Sequence, residues 1–185
     1  MNIKQELVQY YHWLRQYGLN DSHSGNISVR EGNNIWVTPT GACADTLNDN
    51  DLIACTLNES PLAGATLDAA LHLAVYPQNK NANAVMHSHG PHTVAMTLNG
   101  DDFIPADFEG QYYFPVVPVL NIAYDDYLDE APQRVAKALS KHKIVIVRGH
   151  GVYAQAETLN LAYKWTCSLE LSAKTAWLAK QVGTL

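Results

Sequence analysis

The sequence has no apolar run approaching the ~18 residues that a membrane-spanning helix needs. It has three cysteines, Cys43, Cys55 and Cys167, an odd number at wide spacing. That excludes a disulfide framework and a thiolate zinc cluster, and a reducing, cytoplasmic setting is expected. Basic charge is also scarce, with 12 Lys and Arg against 18 Asp and Glu and a net charge of −6. No nucleic-acid or membrane partner is therefore expected, and an anionic substrate has to be met by local donors. Low-complexity tracts, repeats and linkers are missing. The opening stretch MNIKQELVQYYHWLRQYG has scattered charges and no separate apolar core, so it reads as an amphipathic helix and not a signal peptide.

What is present suits one α/β domain spanning residues 1–185, with 47% hydrophobic residues to fill its core. Leu7, Tyr10, Tyr11 and Leu14 recur at helical spacing, and Gly18 is a natural stop. Residues 27–30 and 34–37 read as a hairpin around EGNN, and 51–56 as a third strand. TLDAALHLAVY is a helix with Thr66 near its start and Asp68 in its first turn. AVMHSH is a strand, HTVAMTL a short helix, and FPVVPV an extended run. Residues 129–140 form a helix, KIVIV a buried strand, and 156–180 a long amphipathic helix. The early strands are joined by turns too short for crossovers. The pattern predicts a three-layer domain with a central mixed, mostly antiparallel sheet flanked by helices.

Three of the eight histidines crowd into VMHSHGPHTVAMT, residues 85–97. Strand side chains alternate, so His87 and His89 point the same way and can reach one ion. Zinc takes three protein ligands when a fourth position is kept for chemistry. His150 is the best third, because it follows KIVIVR between Gly149 and Gly151, where the backbone can turn and come close. His92 follows Pro91, beyond the strand, and suits a pocket or supporting role. His72 stands four residues after Asp68 and either orients that acid or packs. Such a metal works with a carboxylate that moves protons. Asp68 is one candidate, with helix capping as its alternative role. Glu109, among the aromatics of DFEGQYY, is the other, with an ordinary loop acid as its alternative. SGN (residues 24–26) and PTG (residues 39–41) are turns able to nest a phosphate. Trp13, Trp165 and Trp177 are assigned to packing or subunit contacts.

SGNISVR, VTPTGA, HSHGPH and RGHGVYAQAET, in this order, resemble the class II aldolase/adducin family across nearly the whole chain. The resemblance implies the three-layer fold, a homotetramer with active sites at subunit interfaces, and Zn²⁺ (or another divalent metal) on His87, His89 and His150. It places the acid/base residue on Asp68, where the family's sugar-phosphate aldolases carry glutamate and its epimerases aspartate. It places the phosphate site on Gly25, Asn26, Thr40, Gly41 and Thr66, with Leu67 where the aldolases have a second hydroxyl. A proton-donating loop tyrosine falls on or near Glu109, with Tyr112 and Tyr113 close by. The implied activity is that of a lyase, first aldol cleavage of a phosphorylated sugar to a ketone phosphate and a small aldehyde through a metal-stabilised enediolate. In it Asp68 moves a proton and Glu109 or Tyr113 serves the aldehyde side. Decarboxylation of a sugar-acid phosphate and dehydration of methylthioribulose phosphate are the family's alternatives. A metal-free adducin-type binding module is disfavoured by the three intact histidines.

Overall fold

The sheet of this chain carries a core on either face, and the alternation of side chains along its strands decides which residues reach the functional face. A computed structural model describes residues 1–185. In chain order the strands are β1 (Asn26–Glu31), β2 (Asn34–Val37), β3 (Ile53–Thr56), β4 (Ala84–Ser88), β5 (Val119–Leu120), β6 (Ile144–Val147) and β7 (Gly151–Ala156). The helices are α1 (Ile3–Gln16), α2 (Ala69–Gln78), α3 (Pro91–Met96), α4 (Phe108–Tyr113), α5 (Tyr127–Leu139) and α6 (Leu159–Val182). The seven strands form one sheet in the order β3-β2-β1-β4-β7-β6-β5. All neighbours are antiparallel except β5 and β6.

On one face, Ile27 and Val29 of β1 and Met86 of β4 pack against Leu7, Tyr11 and Leu14 of α1 and Ala162 of α6. Ile144, Ile146, Val152 and Ala154 meet Leu169 and Ala173 farther along α6. On the other face, Val85, Val145, Val147 and Tyr153 pack against Leu71 and Val75 of α2 and Val135 and Leu139 of α5. This is the expected three-layer arrangement. Burying each such aliphatic side chain stabilises the fold by roughly 1.5–3 kcal/mol. No helix is long and apolar enough to cross a membrane.

Several boundaries differ from the sequence reading. Residues 151–156 are strand β7, and the long helix starts only at Leu159, after Thr158 caps it by accepting from the Leu161 N–H. Val152 and Ala154 serve one core and Tyr153 the other, so tertiary burial on both faces makes this stretch a strand. FPVVPV, residues 114–119, contributes only Val119 to the two-residue strand β5, because Pro115 and Pro118 donate no ladder hydrogen bonds. Residues 108–113, given no element by the sequence reading, form a short helix whose first turn is capped by the Asp107 carboxylate accepting from the Gly110 N–H.

Candidate active site

The site lies on the α2 and α5 face, where β1, β4 and β7 run side by side. Asn26 of β1 pairs with His87 of β4, and His87 pairs with Tyr153 of β7. The Tyr153 and His87 rings stack with centroids 4.0 Å apart and planes 2° from parallel. His87 Nδ1 lies 3.0 Å from the Val152 carbonyl oxygen. That nitrogen therefore donates, and Nε2 is left with a bare lone pair, the tautomer of a metal-ligating histidine. His89 leaves the end of β4 with its N–H on the Leu19 carbonyl. His150 stands in the turn between β6 and β7.

One ring nitrogen from each of His87, His89 and His150 lies within 4.8 Å of the others. His87 Nε2 and His150 Nε2 are 3.3 Å apart. Two nitrogens held at ~2.0–2.1 Å by one tetrahedral ion are separated by about that distance, so the donor set fits a divalent metal such as zinc. Gly151 makes the closure possible. A Cβ there would lie 2.8 Å from His89 Cδ2 and 2.9 Å from His87 Cε1, and nearer still to the Ser88 carbonyl oxygen. Burial pushes all three imidazoles below their ordinary pKa, His89 to about 4, so they sit neutral and ready to ligate.

This burial has a measurable consequence. His72, fully enclosed, is held by desolvation at about 4 against 6.5 when free. Between those values the unfolded chain binds more protons than the folded one, so stability rises with pH there and is lost as pH falls. Chelator-treated protein is expected to melt at a lower temperature near pH ~5 than near pH ~7. A flat melting profile over that window in a thermal-shift titration contradicts neutral buried histidines.

Asp68 sits at the start of α2 but makes no capping hydrogen bond. Its carboxylate is committed to the site instead. Oδ2 accepts from Asn26 Nδ2 at 2.9 Å and from Tyr153 OH at 2.9 Å, and Oδ1 accepts from Tyr127 OH at 2.7 Å. Oδ2 is 3.8 Å from His87 Nε2. Burial alone would raise this carboxyl. The attraction of His87 in its charged form and the donors Asn26 and Tyr127 more than reverse that and lower it to about 2.

A cavity of about 810 Å³ opens over these groups and is also lined by Gly25, Asn26, Thr40, Gly41 and Thr66. The PTG turn is tied to the segment leading into α2, for Thr40 N–H donates to Gly64 O at 2.9 Å and Thr66 N–H to Thr38 O at 3.1 Å. Gly25 has φ +69, and a Cβ there would lie 2.6 Å from the His87 carbonyl oxygen, so the turn can hug β4 only as glycine. Leu67 lines the same cavity, where a hydroxyl would have added a donor.

Glu109 and Tyr113 are not brought to this cavity. Both lie on α4, Glu109 exposed and Tyr113 packed against Trp165 and Phe114. His92 also turns away, with Nδ1 2.7 Å from Glu170 Oε1 on α6. Sequence reasoning missed Tyr127 and Tyr153, whose hydroxyls meet each other and Asp68, and Arg148 and His23 on the cavity wall. Only the alternation in GVYAQA signals Tyr153, since a strand there faces it toward the site.

Residues 5–177 match the family model of the class II aldolase and adducin N-terminal domain. The chain is 28% identical to an L-fuculose phosphate aldolase of Methanococcus maripaludis over 159 residues, 83% of this chain and 84% of that protein. It is 24% identical over 192 aligned positions to a 5-methylthioribulose-1-phosphate/5-deoxyribulose-1-phosphate aldolase of Escherichia coli O45:K1, covering 100% of this chain and 82% of that protein. The crystal structure of L-fuculose-1-phosphate aldolase from Thermus thermophilus superposes with a TM-score of 0.89 at 30% identity, over 98% of this chain and 97% of that one.

Proposed function

Because this chain belongs to the class II aldolase and adducin family, and is with it a metal-dependent, aldolase-like lyase, we propose that it cleaves a phosphorylated ketose into a ketone phosphate and a small aldehyde. The observation that carries this reading is the carboxylate of Asp68 held 3.8 Å from a ring nitrogen of a three-histidine cluster, inside a cavity walled by the glycine-containing turns at residues 25–26 and 40–41. The names of the relatives, aldolases of ketose phosphates, support it.

His87, His89 and His150 would hold the ion, which we take to be zinc. When bound it supplies a Lewis-acid charge that polarises the substrate's carbonyl and neighbouring hydroxyl. The Gly25–Asn26 and Thr40–Gly41 turns, with Thr66, bind the phosphate through the Gly25 and Gly41 N–H groups and the side chains of Asn26, Thr40 and Thr66. In cleavage, a base removes the proton of the hydroxyl next to the breaking carbon–carbon bond. The aldehyde forms, and the electron pair stays on the ketone phosphate fragment. Asp68, ionised at rest, takes up a proton from solvent and delivers it to that fragment's carbon, while the base on the aldehyde side returns the hydroxyl proton to solvent.

The hydroxyl proton needs a second group on the aldehyde side, and we assign it to Glu109 or Tyr113 of a neighbouring copy. Their helix is remote from its own chain's cavity and carries Phe108, 87% exposed, and Tyr112, 77% exposed. Apolar groups left out in this way suit burial between subunits, and the proposed assembly is a homotetramer. The three unpaired cysteines suit the proposed cytoplasmic setting.

The deciding experiment incubates zinc-loaded protein with a panel of ketose and sugar-acid phosphates and follows aldehyde release, CO₂ and water loss. Aldehyde release is the expected result. Loss of CO₂ or water without aldehyde moves the assignment to a decarboxylase or dehydratase on the same scaffold, and protein that retains no metal moves it to a binding module.

A further inference from the structure

Asp68, His72 and Tyr76 are spaced four apart along the start and body of α2, so they share one helix face. Asn26 and Ser28 are spaced two apart on β1 and share the sheet face opposite. Four helical residues rise about 6 Å and two strand residues about 6.7 Å, so the two ladders stay in step. They close into an unbroken chain of hydrogen bonds. Tyr76 OH is 2.6 Å from Ser28 Oγ, Ser28 Oγ is 2.7 Å from His72 Nδ1, and His72 Nε2 is 2.6 Å from Asn26 Oδ1. Asn26 Nδ2 then reaches Asp68 Oδ2 at 2.9 Å. Ser28 and His72 are wholly enclosed and Tyr76 nearly so.

Donor and acceptor roles along this chain leave one solution. An ionised carboxylate only accepts, so Asn26 must turn its amide nitrogen to Asp68 and its oxygen to His72. His72 must then carry its proton on Nε2, Nδ1 must accept from Ser28, and Tyr76 must donate to Ser28. The chain does not relay protons to Asp68, because the amide between them has none to pass. What it fixes is orientation. Asn26 keeps its second N–H free of any protein partner, and Asn26 lines the cavity.

We propose that His72, backed by Ser28 and Tyr76, is a positioning residue that locks the Asn26 amide so that one N–H serves the Asp68 carboxylate and the other serves the phosphate end of the substrate. This rests on the aldol reading above. Without His72 the amide is free to reverse and set its oxygen against the carboxylate. His72→Leu keeps the volume and removes both hydrogen bonds. His72→Gln keeps an N–H near the Nε2 position.

Steady-state kinetics on the ketose phosphate cleaved best should show kcat/KM reduced about 30-fold in His72→Leu, with KM raised and metal content unchanged. His72→Gln should recover to within about threefold of the starting enzyme, and in an Asn26→Ala background His72→Leu should cost less than about threefold more. Losses that multiply in the double variant overturn the proposal. ¹⁵N NMR of histidine-labelled, zinc-loaded protein tests it with no substrate present. The Nε2–H tautomer of His72 is expected, and the Nδ1–H tautomer overturns it. If no ketose phosphate is cleaved, the aldol reading falls, while the tautomer still decides how the amide is held.

Discussion

Replacing His150 with alanine is expected to remove stoichiometric metal and turnover together while the fold survives. The residue stands in the turn between β6 and β7, only partly buried, so its ring adds little to either core. Its nitrogen, however, is 3.3 Å from that of His87 and completes the triad. Two histidines alone do not make a closed three-ligand site. Lewis-acid charge stabilisation is worth several kcal/mol, so kcat/KM should fall at least ~10³-fold. Metal emission spectroscopy on purified protein, with circular dichroism for the fold, checks this. His142→Ala, which alters a histidine outside the triad and the cavity, should keep full metal and near-normal turnover. A His150→Ala protein that turns over normally without metal ends the triad reading.

The histidine pair on β4 was legible because alternation is local: an H-x-H on a strand needs no knowledge of the rest of the fold. His150 was legible only as a glycine-flanked histidine after an apolar strand. Its approach to His87 depends on β7 lying between β4 and β6 in the sheet, a long-range fact. That strand was hidden because GVYAQA carries small residues that also suit a helix start, and burial on both faces decided in favour of strand. Tyr127 and Tyr153 reach Asp68 across 59 and 85 residues of sequence, a separation over which no spacing rule operates. Asp68 was readable as a cap or an acid. The structure removes the capping bond and gives the carboxylate three donors instead. The sequence also could not show that α4 keeps Glu109 and Tyr113 off their own chain's cavity, since that depends on how a six-residue helix docks on α6.

Asp68→Asn should give the second large effect, a loss of ~10²–10⁴ in kcat with metal content unchanged. The substitution keeps the size and removes the charge. It also places an amide N–H against a site built from donors, since Asn26, Tyr127 and Tyr153 all give hydrogen bonds to the carboxylate. The assay that isolates the role is solvent deuterium exchange into the ketone phosphate, which tests the proton on carbon apart from cleavage. Exchange should stop with cleavage. Exchange that persists at the normal rate would take Asp68 off the carbon and leave that proton to Glu109 or Tyr113. The pH profile offers an independent check. The carboxyl is held at about 2, so it stays ionised throughout any practical assay range. The acid limb of activity must then come from imidazoles, which lose metal as protons compete for their nitrogens. Raising the zinc concentration should therefore move that limb to lower pH, whereas a limb set by titration of the carboxylate would stay where it is.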